Sequence, residues 1–389
     1  MVRGRLLLAI LFLMGLFKKP ERRSVALIDI GSGSVGGAFA HFEPHDSPTI
    51  YYTARLPIDP REGEAADAAM LRSLEALGSV LITHGSPILR QETGSARIDS
   101  VVASVAAPWQ DTQILVESKE EERPFTFTHG IMDEIAKKCA IHAEGKARCQ
   151  NSIIATVLNG YEVSDPFGKK AKRADLVVLS SSLDEKVAEG IERSLRKTFH
   201  AHDISLTAFA PLSYAVVRDM FPHEKDFLII DVEGEATDLA FVKRGLLADV
   251  TSVPQGTNAL LDAISRGHTT ITEGSLGVID TGRNQRFAEL VGKMEEDWLC
   301  AITDALKSFA TRHALPRTVF LLADIEARGF LERVIDSPKV HSLWLSDEPL
   351  SVITLSEKHI AQYVKTKGAA EGDVFLAMMA LYTNKITGK

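Results

Sequence analysis

Two stretches of the chain are continuously apolar over strand length. Ser24-Val-Ala-Leu-Ile-Asp-Ile30 and Phe227-Leu-Ile-Ile-Asp-Val232 have the pattern of buried strands. Each runs into a small or polar segment, Gly31-Ser-Gly-Ser-Val-Gly-Gly37 and Glu233-Gly-Glu-Ala-Thr-Asp238. A second apolar stretch then follows, Ala38-Phe-Ala40 and Leu239-Ala-Phe-Val242. Strand, tight turn, strand predicts a β-hairpin in both places. Setting Asp29 on Asp231, 202 positions apart, also sets Ile30 on Val232, Ala38 on Ala240 and Phe39 on Phe241. Helical spacing shows elsewhere. Met294, Trp298, Ile302, Leu306 and Phe309 share one face, which predicts a helix packed in a core. Val374, Phe375, Ala377, Met378 and Leu381 predict a shorter amphipathic helix over Asp373–Asn384, core-packed because it lacks the dense basic face of a membrane-surface helix. Glu117–Arg123 reads as a solvated turn and Lys169–Arg173 as an exposed loop.

Composition narrows the class. With 389 residues, 45% hydrophobic and 25% charged, the chain is of ordinary globular type, which excludes collagen-like, disordered and disulfide-stapled proteins. The net charge of −8, from 52 acidic and 44 basic side chains, argues against nucleic acid as a partner. Cys139, Cys149 and Cys300 are odd in number and make no framework, which favours a reducing compartment. A zinc set of Cys139, His142 and Cys149 lacks a fourth ligand at normal spacing. Leu6–Phe17 is an apolar run set between Arg3 and Arg5 and the basic Lys18, Lys19, Arg22 and Arg23. It is too short to span a bilayer and has no cleavage site, which leaves a peripheral anchor or a true start at Met14, with export behind both.

The turns carry the candidate chemistry. Gly and Ser let backbone N–H groups converge on one concavity, which suits a phosphate oxygen. An Asp at each strand end can position a metal-bound or attacking water. Gly31-Ser-Gly-Ser-Val-Gly36 also fits the dinucleotide pattern G-x-G-x-x-G, but that motif must open a helix. The continuation to Pro44, with Pro48 close behind, leaves no room for one. Two purely structural hairpins are the plainer alternative, and their matching frame counts against it.

Paired phosphate hairpins in duplicated halves resemble the actin-like ATPase superfamily, and within it the FtsA and PilM branch, from Ser24 to Asn384. Asp29-Ile-Gly-Ser-Gly-Ser-Val35 resembles the first phosphate motif and Asp231–Asp238 the second. Phe209–Val216 is similar to the connecting helix, Val253-Pro-Gln-Gly-Thr-Asn258 to the turn after the second motif, and Thr270–Gly274 to the helix start that follows. Thr318–Ile325 occupies the place of the adenosine motif. Asn159–Gly168 resembles a stretch of the small subdomain inserted in this branch; strand Asp175–Ser180 and helix Glu185–Phe199 would follow it. Three departures stand out: Glu233 and Glu235 replace glycines of the second motif, Ala323-Asp324 replaces Gly-Gly of the adenosine motif, and Ala210 replaces a frequent acid.

The resemblance implies an α/β protein with the actin-like (ribonuclease H-like) duplicated two-lobe fold and a small inserted α+β subdomain. It implies a leader at 1–23, a first lobe of 24–109, 205–226 and 357–384, an insert of 110–204 and a second lobe of 227–356. Asp29 and Asp231 would position metal or water. Gly31, Ser32, Gly33, Ser34, Gly234, Thr237, Asp238, Gly256, Ala323 and Asp324 would bind the cofactor, ATP with Mg held through Asp29 and Asp231. The implied activity is a weak ATPase at most, or a pseudo-ATPase. The implied role is a cytoplasmic scaffold, peripheral at the inner face of the membrane, that binds a short peptide or cytoplasmic tail of a membrane protein and self-assembles into a ring or filament. PilM-like work in type IV pilus assembly is favoured because no basic amphipathic tail follows the fold. An FtsA-like division tether and a small-molecule kinase are the alternatives.

Overall fold

The computed structural model describes residues 22–138, 145–258, 285–324, 327–344 and 350–387. The leader, Cys139, His142 and the Thr270–Gly274 helix start lie outside the described residues.

The strands in chain order are β1 (Arg23–Ile30), β2 (Ser34–Phe42), β3 (Thr49–Pro57), β4 (Ser100–Val105), β5 (Gln110–Thr126), β6 (Lys146–Leu158), β7 (Tyr161–Glu162), β8 (Lys170–Asp184) and β9 (Asp203–Ala208). They continue as β10 (Phe227–Val232), β11 (Thr237–Lys243), β12 (Leu246–Val253), β13 (Thr318–Ala323), β14 (Ser351–Thr354) and β15 (Lys365–Ala369). The helices used below are α1 (Ala66–Val80), α2 (Ser86–Thr93), α3 (His129–Lys138), α4 (Glu185–Phe199), α5 (Phe209–Met220), α6 (Gln285–Ala310), α7 (Arg328–Ile335) and, last, α8 (Val374–Thr387).

Two sheets repeat one plan. The first has the order β15-β3-β2-β1-β4-β9 and the second β12-β11-β10-β13-β14. In each, the hairpin strands pair antiparallel and the next two neighbours parallel: β1 with β2 and β4, β10 with β11 and β13. This is the duplication that the two hairpins announce. The third sheet, β5-β8-β6-β7, is antiparallel throughout and carries α3 on one face.

Alternation along the central strands sets the layers. Val25 and Leu27 join Phe227 and Ile229 in a core shared by both sheets, with α5 and α8 between them. The intervening Ala26, Ile28 and Ile30 pack against α1 and α4, while Leu228, Ile230 and Val232 pack against α6 and α7. Because side chains in a strand point alternately to its two faces, Asp29 and Asp231 fall on the inner face as well. The α8 side chains Phe375, Leu376, Met378 and Met379 are buried in the shared core. At about 1.5–3 kcal/mol for each large side chain, that burial outweighs what a short helix without a basic face gains at a membrane surface. The stripe on α6 also lies in core, with Trp298, Ile302, Leu306 and Phe309 buried and Met294 packed beside them.

Two local readings need correction. Glu117–Arg123 is not a turn but part of β5, and Lys169–Arg173 is not a loop, since β8 begins at Lys170. The two segments meet in the β5–β8 ladder, with Glu120 opposite Arg173. The alternating pattern fails there because both faces of β5 are solvated over Glu120–Arg123.

Candidate functional site

Both hairpin turns close the same way. The Gly31 N–H donates to the Ser34 carbonyl at 3.0 Å, and the Glu233 N–H to the Ala236 carbonyl at 2.9 Å. Gly31 and Glu233 are therefore equivalent positions in equivalent turns.

The two aspartates are held differently. Asp29 is 1% exposed; the Ser104 hydroxyl donates to its Oδ1 at 2.8 Å and Arg55 Nη2 to its Oδ2 at 2.9 Å. Burial pushes the Asp29 carboxyl up and the Arg55 guanidinium opposes it. Arg55 also donates from Nε to Asp373 Oδ2 at 2.8 Å and from Nη1 to Ser34 Oγ at 2.9 Å. Burial works against the Arg55 charge, but Asp373 and Asp29 outweigh it and hold the guanidinium protonated. Asp231 is 2% exposed, and neither carboxylate oxygen has a hydrogen-bond partner. Burial first, then Glu233, Asp238, Asp29 and Asp324, push its carboxyl well above the usual range. Asp238 lies opposite Asp231 in the β10–β11 register and is likewise buried, which raises it to about 6; Gln110 Nε2 donates to its Oδ2 at 3.3 Å.

The turn tips touch. A Cβ built on Gly33 would stand 3.0 Å from the Gly234 Cα, and one on Gly234 would stand 2.6 Å from the Gly33 nitrogen. Glu233 reaches over Gly31, whose missing Cβ would meet the Glu233 Cδ at 2.9 Å. The Ser32 N–H donates to Glu233 Oε2 at 3.3 Å, and the Glu235 N–H donates to Ser32 Oγ at 2.8 Å. The 253–258 turn backs this contact: Thr257 and Asn258 N–H groups donate to the Glu233 and Gly234 carbonyls, each at 2.9 Å, and Gly256 packs on the same backbone. Burial, followed by Asp29 and Asp324, holds the Glu233 carboxyl well above its ordinary range.

No protein-family model matches the chain, and no curated protein does. Among solved structures it superposes on a chain of the PilM–PilN type IV pilus biogenesis complex with a TM-score of 0.59 at 14% identity, covering 92% of this chain and 97% of that one. The chain has the actin-like ATPase fold. It also matches a protein of unknown function with an actin-like ATPase fold from Bacteroides thetaiotaomicron (TM-score 0.44, 10% identity, 95% and 99% covered). The EutJ protein of Carboxydothermus hydrogenoformans matches as well (TM-score 0.41, 11% identity, 97% and 96% covered).

On this actin-like fold the sequence-derived residues come together. Gly31, Ser32, Gly33 and Ser34 form the first turn, Gly234 sits at the tip of the second, and Gly256 lies beneath it. Ala323 ends β13 beside Val232, fully buried, and Asp324 follows close enough for its charge to act on Arg55, Asp231 and Glu233. Thr237 is buried with its hydroxyl committed, donating to the Gln255 carbonyl at 2.7 Å and accepting from Trp298 Nε1 at 3.1 Å. Arg55, Ser104, Gln110, Asn258 and Asp373 were not foreseen. Arg55 left a signal, as the lone charged residue of the otherwise uncharged strand Thr49–Pro57.

Whether ATP and Mg fit can be tested on this geometry. Asp231, buried with both oxygens unpartnered, is the feature that asks for a cation. Among the described residues, however, no three His, Cys, Asp or Glu side chains stand close enough to share one. The concavity over Gly31 is filled by Glu233, and the turn tips meet beside it at Gly33 and Gly234. In this arrangement the residues do not fit the nucleotide.

Proposed function

We propose that the chain is a PilM-like scaffold of type IV pilus assembly, which works by presenting surfaces rather than by turning over a substrate. The burial of both strand-end aspartates, at 1% and 2% exposure, carries the reading: a kinase of this fold needs an acid facing an open cleft. The likeness to a chain of the PilM–PilN complex over nearly its whole length supports the pilus assignment. Among the described residues no helix is long and apolar enough to cross a membrane.

In this reading the protein is cytoplasmic and peripheral at the inner membrane face. Its partner is a short peptide or cytoplasmic tail of a membrane protein, and it assembles into a ring or filament. Residues 24–109, 205–226 and 357–384 form the first lobe, 110–204 the insert and 227–356 the second lobe. α4 packs its buried face, Val187, Ala188, Ile191, Leu195 and Phe199, into the first-lobe core, and Leu183 of β8 joins it there.

The test is fluorescence anisotropy with a labelled cytoplasmic tail from the membrane protein encoded next to this chain, alongside an ATP-turnover assay over a panel of small hydroxyl compounds. Saturable tail binding with no substrate-dependent turnover is expected. Absent binding together with substrate-stimulated ATP hydrolysis would replace the scaffold by the kinase.

A further inference from the structure

We infer that Glu233 is an internal plug: its carboxyl fills the phosphate concavity of the opposite turn, and so closes the two lobes on each other without nucleotide. The duplication makes the argument. The two turns have the same length, the same closing hydrogen bond and equivalent positions at Gly31 and Glu233. At one position there is no side chain; at the other there is a long acidic one. Glu233 therefore has free space to enter over Gly31, and Gly31 has nothing with which to resist. An alanine at 31 would collide with the Glu233 carboxyl.

The group that Glu233 meets is the one a phosphate would use. A turn of Gly and Ser offers backbone N–H donors to an oxygen acceptor, and the Ser32 N–H donates here to Glu233 Oε2. The plug is buttressed on both sides. Glu235, two residues on, donates its N–H to the Ser32 hydroxyl, and the Asn258 side-chain amide donates to Glu235 Oε1 at 2.5 Å. Gly33 against Gly234 brings the backbones into van der Waals contact directly beside it. The ligand class excluded is a nucleoside triphosphate with its Mg.

The inference stands on the fold and the loop geometry, and the scaffold reading is tested separately by tail binding, so either can fail alone. The experiment compares wild type with Glu233→Gly, and with Glu233→Asp as a second variant whose shorter arm withdraws from Ser32 with little change to the turn. Glu235→Gly is the control that loses the Asn258 bond but keeps the plug, because Glu233 is untouched and the bond from position 235 to Ser32 Oγ comes from the backbone N–H. Mg-ATP binding is read by calorimetry and by thermal shift, and amide exchange at Ser32 by hydrogen–deuterium mass spectrometry. The expected result is no detectable Mg-ATP binding to wild type or Glu235→Gly. Glu233→Gly is expected to gain binding at least tenfold above the detection limit, and Ser32 exchange to rise several-fold in both Glu233 variants. Wild type binding Mg-ATP as tightly as Glu233→Gly would overturn the plug. So would Glu233 variants that gain neither binding nor faster exchange.

Discussion

Arg55 offers the sharpest single perturbation. Its guanidinium ties three pieces of the chain together: Asp29 at the end of β1, Ser34 at the start of β2 and Asp373 just before α8. Its Cζ also lies 5.2 Å from the centroid of the Phe375 ring. Arg55→Met keeps most of the aliphatic volume and removes every donor. Asp29 is then left 1% exposed with only the Ser104 hydroxyl. Breaking a buried pair from one side costs about 3–5 kcal/mol, because the surviving charge has lost its compensation. The Arg55 side chain is 24% exposed, and Asp29 can take up a proton instead, so the lower end of that range, about 3 kcal/mol, applies. With an unfolding entropy of about 2.1 cal/mol/K per residue, 389 residues convert that into a drop in Tm of about 4 °C. Adding Asp29→Asn removes the stranded charge and should restore at least about 1 kcal/mol, a coupling that urea denaturation of the two single variants and the double variant measures directly. An Arg55→Met protein melting within about 1 °C of wild type would refute the reasoning, as would a double variant that loses the full sum of the single losses.

Three further outcomes follow from other parts of the molecule. Gly234→Ala places a methyl against the Gly33 backbone, which has no flexible end to yield, so the tips must part at a cost of about 1–3 kcal/mol, read as a lower Tm. Thr237→Val leaves the Gln255 carbonyl and the Trp298 indole N–H without their buried partner and should cost about 2–3 kcal/mol in urea denaturation. Glu64 accepts both arms of Arg72, at 3.0 and 2.8 Å, and that bond lowers its carboxyl to about 2. A lowered carboxylate pKa adds stability above the unfolded value of 4.5, and that contribution is lost as pH falls through about 2. An NMR titration should place Glu64 there in wild type and return it toward 4.5 in Arg72→Met, with the Arg61 N–H keeping it somewhat below.

The parts of the fold that could be read from sequence are those specified locally. The hairpins were legible because a buried strand, a glycine turn and a second buried strand lie within about twenty residues. Their common frame followed from the identical turn length. Helix α4 was legible to the residue, since Asp184 caps it by accepting from the Lys186 N–H at 3.0 Å. The strand identity of Glu117–Arg123 was hidden because it comes from pairing with β8, some fifty residues away, and not from an apolar pattern of its own. α1 did carry a pattern, with Met70, Leu74 and Leu77 buried at helical spacing, and was still missed among the louder signals. In the site, the two aspartates and the glycine turns were visible as residue types. The arrangement was not: whether Glu233 turns away or folds into the opposite loop depends on the distance between two lobes, which no local pattern encodes.

The energetics of the closed state separate the latch from the hinge. Across the turn tips the bonds are few: Ser32 to Glu233 at 3.3 Å and Glu235 to Ser32 at 2.8 Å, with Gln110 to Asp238 at 3.3 Å nearby. Each is worth about 1 kcal/mol net, and the two longest fall at the weak edge of hydrogen-bond geometry. The shared core behind them buries Phe227, Phe320, Phe209, Leu27, Leu376 and Met378 between the two sheets, at about 1.5–3 kcal/mol for each large side chain. The core therefore holds the lobes together and the tips only set how far they close. Removing Glu233 should open the cleft while the molecule stays folded. In the same way, the buried acids Asp231 and Asp238 and the half-buried Glu233 tolerate one another because desolvation raises all three and Arg55 steadies Asp29 on the other side. On the plug inference, a cleft closed by Glu233 over Gly31 is the physical difference between this chain and a fold whose lobes close on Mg and a triphosphate.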